Sequence, residues 1–242
     1  IDLFGGIDDI KNKIVRCVGD SNERFNEDGL RILRALRFAS VLNFSIDNGT
    51  SGSIHKNKKL LNNISKERIN TEFNKLIMGS NYQSILLEYR DVIEVFMPEI
   101  SSFSQDELKF RINSMSSLNS LILRLSVLLY KIESTDSILM RLKYDNSTFK
   151  SVKLLTSYID EKIYPNPVNV KRWLHNINYV NLCNLIKIKK ALFEFEYENF
   201  PNSEKGKDIG RILDDVLNEV IDGRLENKKD SLLNYIYVNL PY

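Results

Sequence analysis

Apolar residues recur at every third or fourth position along most of the chain, the period of amphipathic helices. Residues 24–39, RFNEDGLRILRALRFA, read as one helix, with Asn26 or Ser21 as candidate N-caps. Leu30, Leu33, Ala35, Leu36, Ala39 and Leu42 supply its apolar face, and the turn chemistry of NFSIDNGTSG ends it. NKKLLNNISKERINTEFNKLIMGS predicts two short helices, the second closed by Gly79. NYQSILLEYRDVIEVFMPEI predicts one helix stopped by Pro98, and residues 105–131 hold a strongly apolar one. A helix pair split at KYDNS follows, then a linker at PNPVN, then helices over 170–178, 180–199 and the remainder. The one strand candidate is IVRCV at 14–18, β-branched and followed by the turn residues GDSN. A lone strand forms no sheet, so it reads as a remnant of a larger unit. The fold class predicted is all-α, an elongated string of helix pairs, with cuts near residues 20, 95 and 168.

Composition narrows this picture only a little. The 242 residues are 43% hydrophobic and 27% charged, with 5 prolines and 10 glycines, which suits a folded helical protein. A net charge of +2 permits a nucleic-acid partner without demanding one. Cys17 and Cys183 stand far apart, and His55 and His175 lack metal-ligand spacing, which excludes zinc sites and a disulfide framework and suits a reducing cytoplasm. No apolar run reaches the roughly 18–20 residues of a membrane span, and no secretory signal is present. Opening on Ile1 with IDLFGG in mid-flow, the chain reads as cut from a longer protein.

The charge within 24–39 is the feature that carries chemistry. Asp28 and Arg31 lie three apart, neighbours on a helix, and one reading is a plain ion pair worth a few tenths of a kcal/mol. The other uses their hydrogen-bonding pattern. A carboxylate only accepts and a guanidinium only donates, so side by side they present an acceptor and a donor. Adenine and cytosine offer an amine beside a bare ring nitrogen, the complement of that edge. Guanine and uracil offer a carbonyl beside a ring N–H, which would set like groups against like at a cost of about 1–3 kcal/mol each. Gly29 between them either leaves room for a base or is a tolerated early-helix glycine. Arg24, Arg34 and Arg37 extend the basic series, as a solvated face or as phosphate contacts.

At these residues the chain resembles the class II tRNA nucleotidyltransferases, the CCA-adding enzymes, and the related bacterial poly(A) polymerases. The resemblance rests on DLFGGIDDIKNKIVRCVGD, on the E-D-x-x-R motif at Glu27 to Arg31 and on the R-x-x-R-F-A tail at Arg34 to Ala39. It continues through ERI-x-x-E-x-x-K at Glu67, Arg68, Ile69, Glu72 and Lys75, then VFMPEI, RLKYDNSTFKSV and KGKDIGRILDDVLNEVIDGRLENKKDSLL. It implies a head, neck, body and tail, divided here as head remnant 1–20, neck 21–95, body 96–168 and tail 169–242. It implies that Asp28 and Arg31 read the base of an incoming CTP or ATP. Glu27, Glu67, Arg68 and Glu72 are implied as structural neck residues, and body and tail as holding tRNA. The family's Asp-x-Asp head, which binds catalytic Mg²⁺, has no counterpart in the chain. The pairs at Asp8–Asp9 and Asp214–Asp215 read as solvated helix faces, so the chain by itself is expected to be inactive.

Other segments weigh less. Tyr130 and Lys131 stand where some relatives carry a His-Asp pair, and no hydrolase activity is expected. FEFEYENF at 193–200 alternates with glutamates that repel phosphate and reads as core or partner contact, whereas LIKIKK at 185–190 and KRW at 171–173 are better candidates for RNA backbone. The reading reached is the C-terminal part of a cytoplasmic tRNA nucleotidyltransferase that adds CCA from CTP and ATP. A poly(A) polymerase, a CC- or A-adding relative, or a non-catalytic RNA-binding module remain open as alternatives.

Overall fold

The computed structural model describes residues 2–161, 173–174, 176–193, 216, 219, 224–226 and 228–239. The PNPVN linker, His175, residues 171–172 of KRW, residues 194–200 of the aromatic run, Asp214–Asp215 and most of the first part of KGKDIGRILDDVLNEVIDGRLENKKDSLL, 205–228, lie outside these residues.

The N-terminal turn shows how local chemistry sets the path. Asp2 accepts from the N–H groups of Phe4, Gly6 and Ile7, and Gly5 takes a left-handed φ of +72°, which starts helix α1, Gly6–Lys11. Strand β1, Ile14–Val15, pairs in parallel with β2, Ser45–Ile46. The strand near 14–18 therefore has its partner within the chain, in the segment expected to be a plain turn. Two residues are too few to show a period, so the sequence could not announce β2.

Helix α2, Ser21–Glu27, is capped by Asp20, which accepts from Asn22 and Glu23 N–H, and not by Ser21 or Asn26. Helix α3, Leu30–Leu42, buries Leu30, Ile32, Leu33, Leu36 and Ala39. Each of the leucine and isoleucine side chains contributes roughly 1.5–3 kcal/mol relative to exposure. The single helix predicted over 24–39 is in fact these two, separated at Asp28 and Gly29. Leu42, expected on the apolar face, is half exposed.

Beyond β2 come α4, Asn48–Asn57, a 3-10 turn at Lys58–Asn63, and α5, Lys66–Ile77, which packs along α3. The segment before Pro98 breaks into α6, Tyr82–Glu88, and α7, Arg90–Ile93. The break falls at buried Tyr89, whose hydroxyl donates to Ser51 at 2.8 Å. The apolar stretch 105–131 divides into α8, Gln105–Ser114, and α9, Leu121–Leu129. Helices α10, Thr135–Arg141, and α11, Asn146–Tyr158, form the pair split at KYDNS, and Asp145 caps α11. Then come α12, Tyr179–Phe193, and α13, Lys229–Asn239. One contiguous apolar core runs from Phe25 to Leu192. The all-α class stands, and no described helix is long and apolar enough to cross a membrane.

Candidate functional site

Asp28 is extended, with φ −151° and ψ 103°, and forms the seam between α2 and α3. It organises the start of α3 twice. Its Oδ1 accepts from Leu30 N–H at 3.1 Å, and its carbonyl accepts from Arg31 N–H at 3.0 Å, so two otherwise unpaired N-terminal donors are satisfied. Gly29 is explained by packing. A Cβ there would lie 2.9 Å from the Leu60 Cβ and 3.1 Å from the Leu60 carbonyl oxygen. The glycine lets the 3-10 turn close against the seam, and neither room for a base nor mere tolerance accounts for it.

The second Asp28 oxygen, Oδ2, accepts from Arg68 Nη2 at 3.0 Å. Arg68 stands on the first turn of α5, held beside the seam by buried Ile69, Phe73 and Leu76. Burial raises the Asp28 carboxyl, but the Leu30 N–H, Arg68 and Arg31 outweigh it, and the net effect holds Asp28 below the usual carboxylate range.

Arg31 does not pair with Asp28. Its Nη1 donates to Glu27, at the end of α2, at 2.5 Å and to the Arg24 carbonyl at 3.0 Å. Glu27 also takes both of its oxygens to Arg24 Nη1, at 3.1 and 3.2 Å. These two arginines hold the Glu27 carboxyl below its ordinary range, the Arg31 hydrogen bond being the larger cause. The Nε and Nη2 protons of Arg31 have no partner among the described residues. Each of the two groups is thus gripped on one side and about one-third exposed or more, 33% for Asp28 and 41% for Arg31. The carboxylate keeps spare lone pairs and the guanidinium spare donors, and Arg31 is close enough to Asp28 to lower its pKa.

The other residues singled out in the sequence separate clearly. Arg34 is exposed on α3, 5.8 Å from the centre of the Phe38 ring. Arg37 turns inward, its Nε 2.6 Å from the buried carboxylate of Glu72 and its guanidinium 3.9 Å over Phe38. Glu67 is exposed on α5. Within LIKIKK, Lys189 is buried and its Nζ donates to the Ile159 carbonyl, so it faces the core and not a surface. Burial lowers its amine. Trp173 is likewise buried, edge-on to Tyr158. Phe193 meets Tyr130 edge-on, and Tyr130 donates its hydroxyl to Asp160. Asp8 and Asp9 pair with Lys11 and Arg16.

Sequence reasoning missed the role of Arg68 as the partner of Asp28. The two are forty positions apart, and only the α3–α5 packing joins them. It also missed a cluster around Asp91, which accepts from His55 Nδ1 at 2.9 Å and Lys58 Nζ at 2.7 Å, with His55 stacked on Tyr89. No group of three or more His, Cys, Asp or Glu side chains among the described residues is able to hold a metal ion.

Comparison with known proteins shows what the chain as a whole is similar to. The family described as "Probable RNA and SrmB- binding site of polymerase A" matches residues 43–104. The CCA-adding enzyme of Ligilactobacillus salivarius (strain UCC118) is 30% identical over 267 aligned positions, covering 96% of this chain. The chain spans 65% of that relative's length. Among solved structures, the Bacillus stearothermophilus CCA-adding enzyme in complex with CTP superposes with a TM-score of 0.67 at 20% identity, over 98% of this chain and 68% of that one. A Thermotoga maritima CCA-adding enzyme complexed with tRNA superposes at 0.56 with 17% identity, over 98% and 67%. At these identities the structures establish a shared fold. The sequence match likewise makes the chain similar to CCA-adding enzymes, and it spans somewhat less than two thirds of the first relative's length.

Proposed function

We propose that this chain is the base-reading and tRNA-holding part of a tRNA nucleotidyltransferase that completes the 3′-terminal CCA from CTP and ATP. The observation that carries the reading is that Asp28 and Arg31 are both partly exposed and each is held by named partners while keeping unused hydrogen-bonding capacity. Asp28 accepts from the exocyclic amine of adenine or cytosine, and Arg31 donates to the adjacent ring nitrogen. Guanine and uracil present the opposite order, and both charges are then left facing like partners. Glu27 holds Arg31 in place. Arg24 and Arg34 are the arginines of this surface placed to meet phosphate, while Arg37 joins α3 to Glu72 on α5. Divided as head remnant 1–20, neck 21–95, body 96–168 and tail 169–242, the chain contributes recognition. The transfer step and its Mg²⁺ belong to a part outside it, so the chain alone incorporates no nucleotide. The setting is the cytoplasm.

The test combines the chain with the polypeptide that supplies the remainder of its relatives' length. A tRNA ending just before CCA is offered with Mg²⁺ and each nucleotide in turn, then CTP with ATP. Addition of C, C and A followed by a stop supports the reading. A long A tail or A alone moves the protein to a poly(A) polymerase or an A-adding relative. tRNA binding with no incorporation leaves an RNA-binding module. In the same assay, Asp28→Ala is expected to cut the preference for CTP and ATP over GTP and UTP by roughly tenfold or more. Retained tRNA binding with unchanged nucleotide choice would remove Asp28 from the role.

A further inference from the structure

The Asp28 carboxylate is held at both oxygens by groups from two different helices. Leu30 N–H, on α3, takes Oδ1, and Arg68, on α5, takes Oδ2. One contact leaves a carboxylate free to swing about it, whereas two on different oxygens fix its plane. Of these two contacts on the carboxylate, the Arg68 one comes from outside the α2–α3 segment. We propose that Arg68 is a specificity-determining positioning residue, which sets the angle at which Asp28 presents its acceptor edge to a base. The inference rests on the base-reading role proposed above and extends it to a residue that touches no substrate.

The packing of α3 on α5 supports this assignment. Arg68 and Glu72 lie four apart on α5 and therefore on one face. Glu72 binds Arg37 of α3 at 2.6 Å while Arg68 binds Asp28 at 3.0 Å. The two rungs have opposite polarity, plus to minus at the seam and minus to plus one turn along. A slip of α5 by one turn would set Arg68 against Arg37, so the register that brings Arg68 to Asp28 is enforced electrostatically as well as by Ile69, Phe73 and Leu76. The rungs differ in burial. Glu72 is 8% exposed in its side chain, whereas Arg68 is 52% exposed. An ion pair that open adds little to stability. Its geometric effect on Asp28 is the larger contribution, and this separates positioning from a structural role.

The experiment is a titration of the chain with CTP, ATP, GTP and UTP, following the backbone amide signals of residues 28–31. The unsubstituted chain, Asp28→Ala, Arg68→Met and Arg68→Lys are compared, each with a thermal melt. The unsubstituted chain is expected to favour CTP and ATP, and Asp28→Ala to lose that preference. Arg68→Met is expected to lose roughly tenfold of the preference with its melting temperature nearly unchanged, as fits the loss of one charged hydrogen bond that orients the reader. Arg68→Lys, which restores a donor without the planar fork, is expected to recover part of it. Full preference in Arg68→Met alongside its loss in Asp28→Ala overturns the positioning role and leaves the base-reading role standing. A lost preference that tracks a collapse in melting temperature, with no recovery in Arg68→Lys, assigns Arg68 to structure alone. Absence of any preference in the unsubstituted chain overturns the base-reading role and this inference with it.

Discussion

Arg37 and Gly79 show how single positions lock α3 to α5. The Arg37 side chain is 16% exposed and its partner Glu72 8%, so deleting one member strands the other's charge in a nearly dry setting. Loss of one member of such a pair costs roughly 3–5 kcal/mol, whereas replacing both by apolar groups is often neutral. Arg37→Met is therefore expected to lower the melting temperature by several degrees, and the double variant Arg37→Met with Glu72→Leu to regain most of that loss. A single variant that melts like the parent would show the pair to be energetically idle. Gly79 works by closeness. A Cβ there would sit 2.2 Å from Ser40 Oγ and 2.7 Å from the Ser40 carbonyl carbon, and Ser40 Oγ already donates to the Leu76 carbonyl at 2.7 Å. Gly79→Ala must push α3 from the end of α5, at roughly 1–3 kcal/mol or more, with each kcal/mol worth about 2–4 °C in melting temperature. Adding Ser40→Ala removes the hydroxyl clash but leaves the backbone one, so only partial recovery is expected by calorimetry.

At the level of elements, much of the helical order is legible in the apolar period, and the failures share a cause. The break at Asp28–Gly29 leaves that period almost undisturbed, so 24–39 reads as continuous. What breaks it is a side-chain hydrogen bond to Leu30 and the approach of Leu60 from thirty residues on, neither of which leaves a periodic trace. The break at Tyr89 likewise belongs to a distant partner, Ser51. Candidate site residues were legible by type, because an Asp and an Arg three apart carry their chemistry with them, but their partners were not. The motif segments, separate in sequence, converge in space. Glu99 of VFMPEI accepts from Arg141 of RLKYDNSTFKSV at 2.8 Å. The next residues of that segment reach the ERI helix, where Asn70 donates to the Leu142 carbonyl at 2.8 Å and Tyr144 donates to Asn74 at 2.7 Å. The Tyr144 phenol is a donor at neutral pH, and burial raises its pKa further. Tyr144→Phe should leave Asn74 short of one partner, at about 1 kcal/mol by chemical denaturation. An undiminished midpoint would mean that the KYD turn does not brace α5.

Across the whole molecule, the same ties make stability depend on pH in a stated direction. Asp28, Asp91 and Glu99 sit on three separate junctions between helices. Burial raises each carboxyl, but the groups that hydrogen-bond and pair with it outweigh that, and all three lie below the usual carboxylate range. For Asp91 those groups are Lys58 and His55, and for Glu99 chiefly Arg141. A carboxyl whose folded pKa is depressed contributes stability that is present above its unfolded value, near 4, and is lost as pH falls through the folded value. The melting temperature is therefore expected to stay nearly level from pH 8 to about pH 5 and to fall below about pH 4. Asp91→Asn separates this linkage from general acid expansion, because it deletes one titrating group while keeping the side chain's size. It should melt lower than the parent at pH 7, and the gap should narrow as pH falls towards 3, where the parent's Asp91 becomes protonated too. A gap that stays constant with pH would show that the Lys58–Asp91–His55 contact contributes through shape, and that the α4–α7 junction carries none of the acid sensitivity.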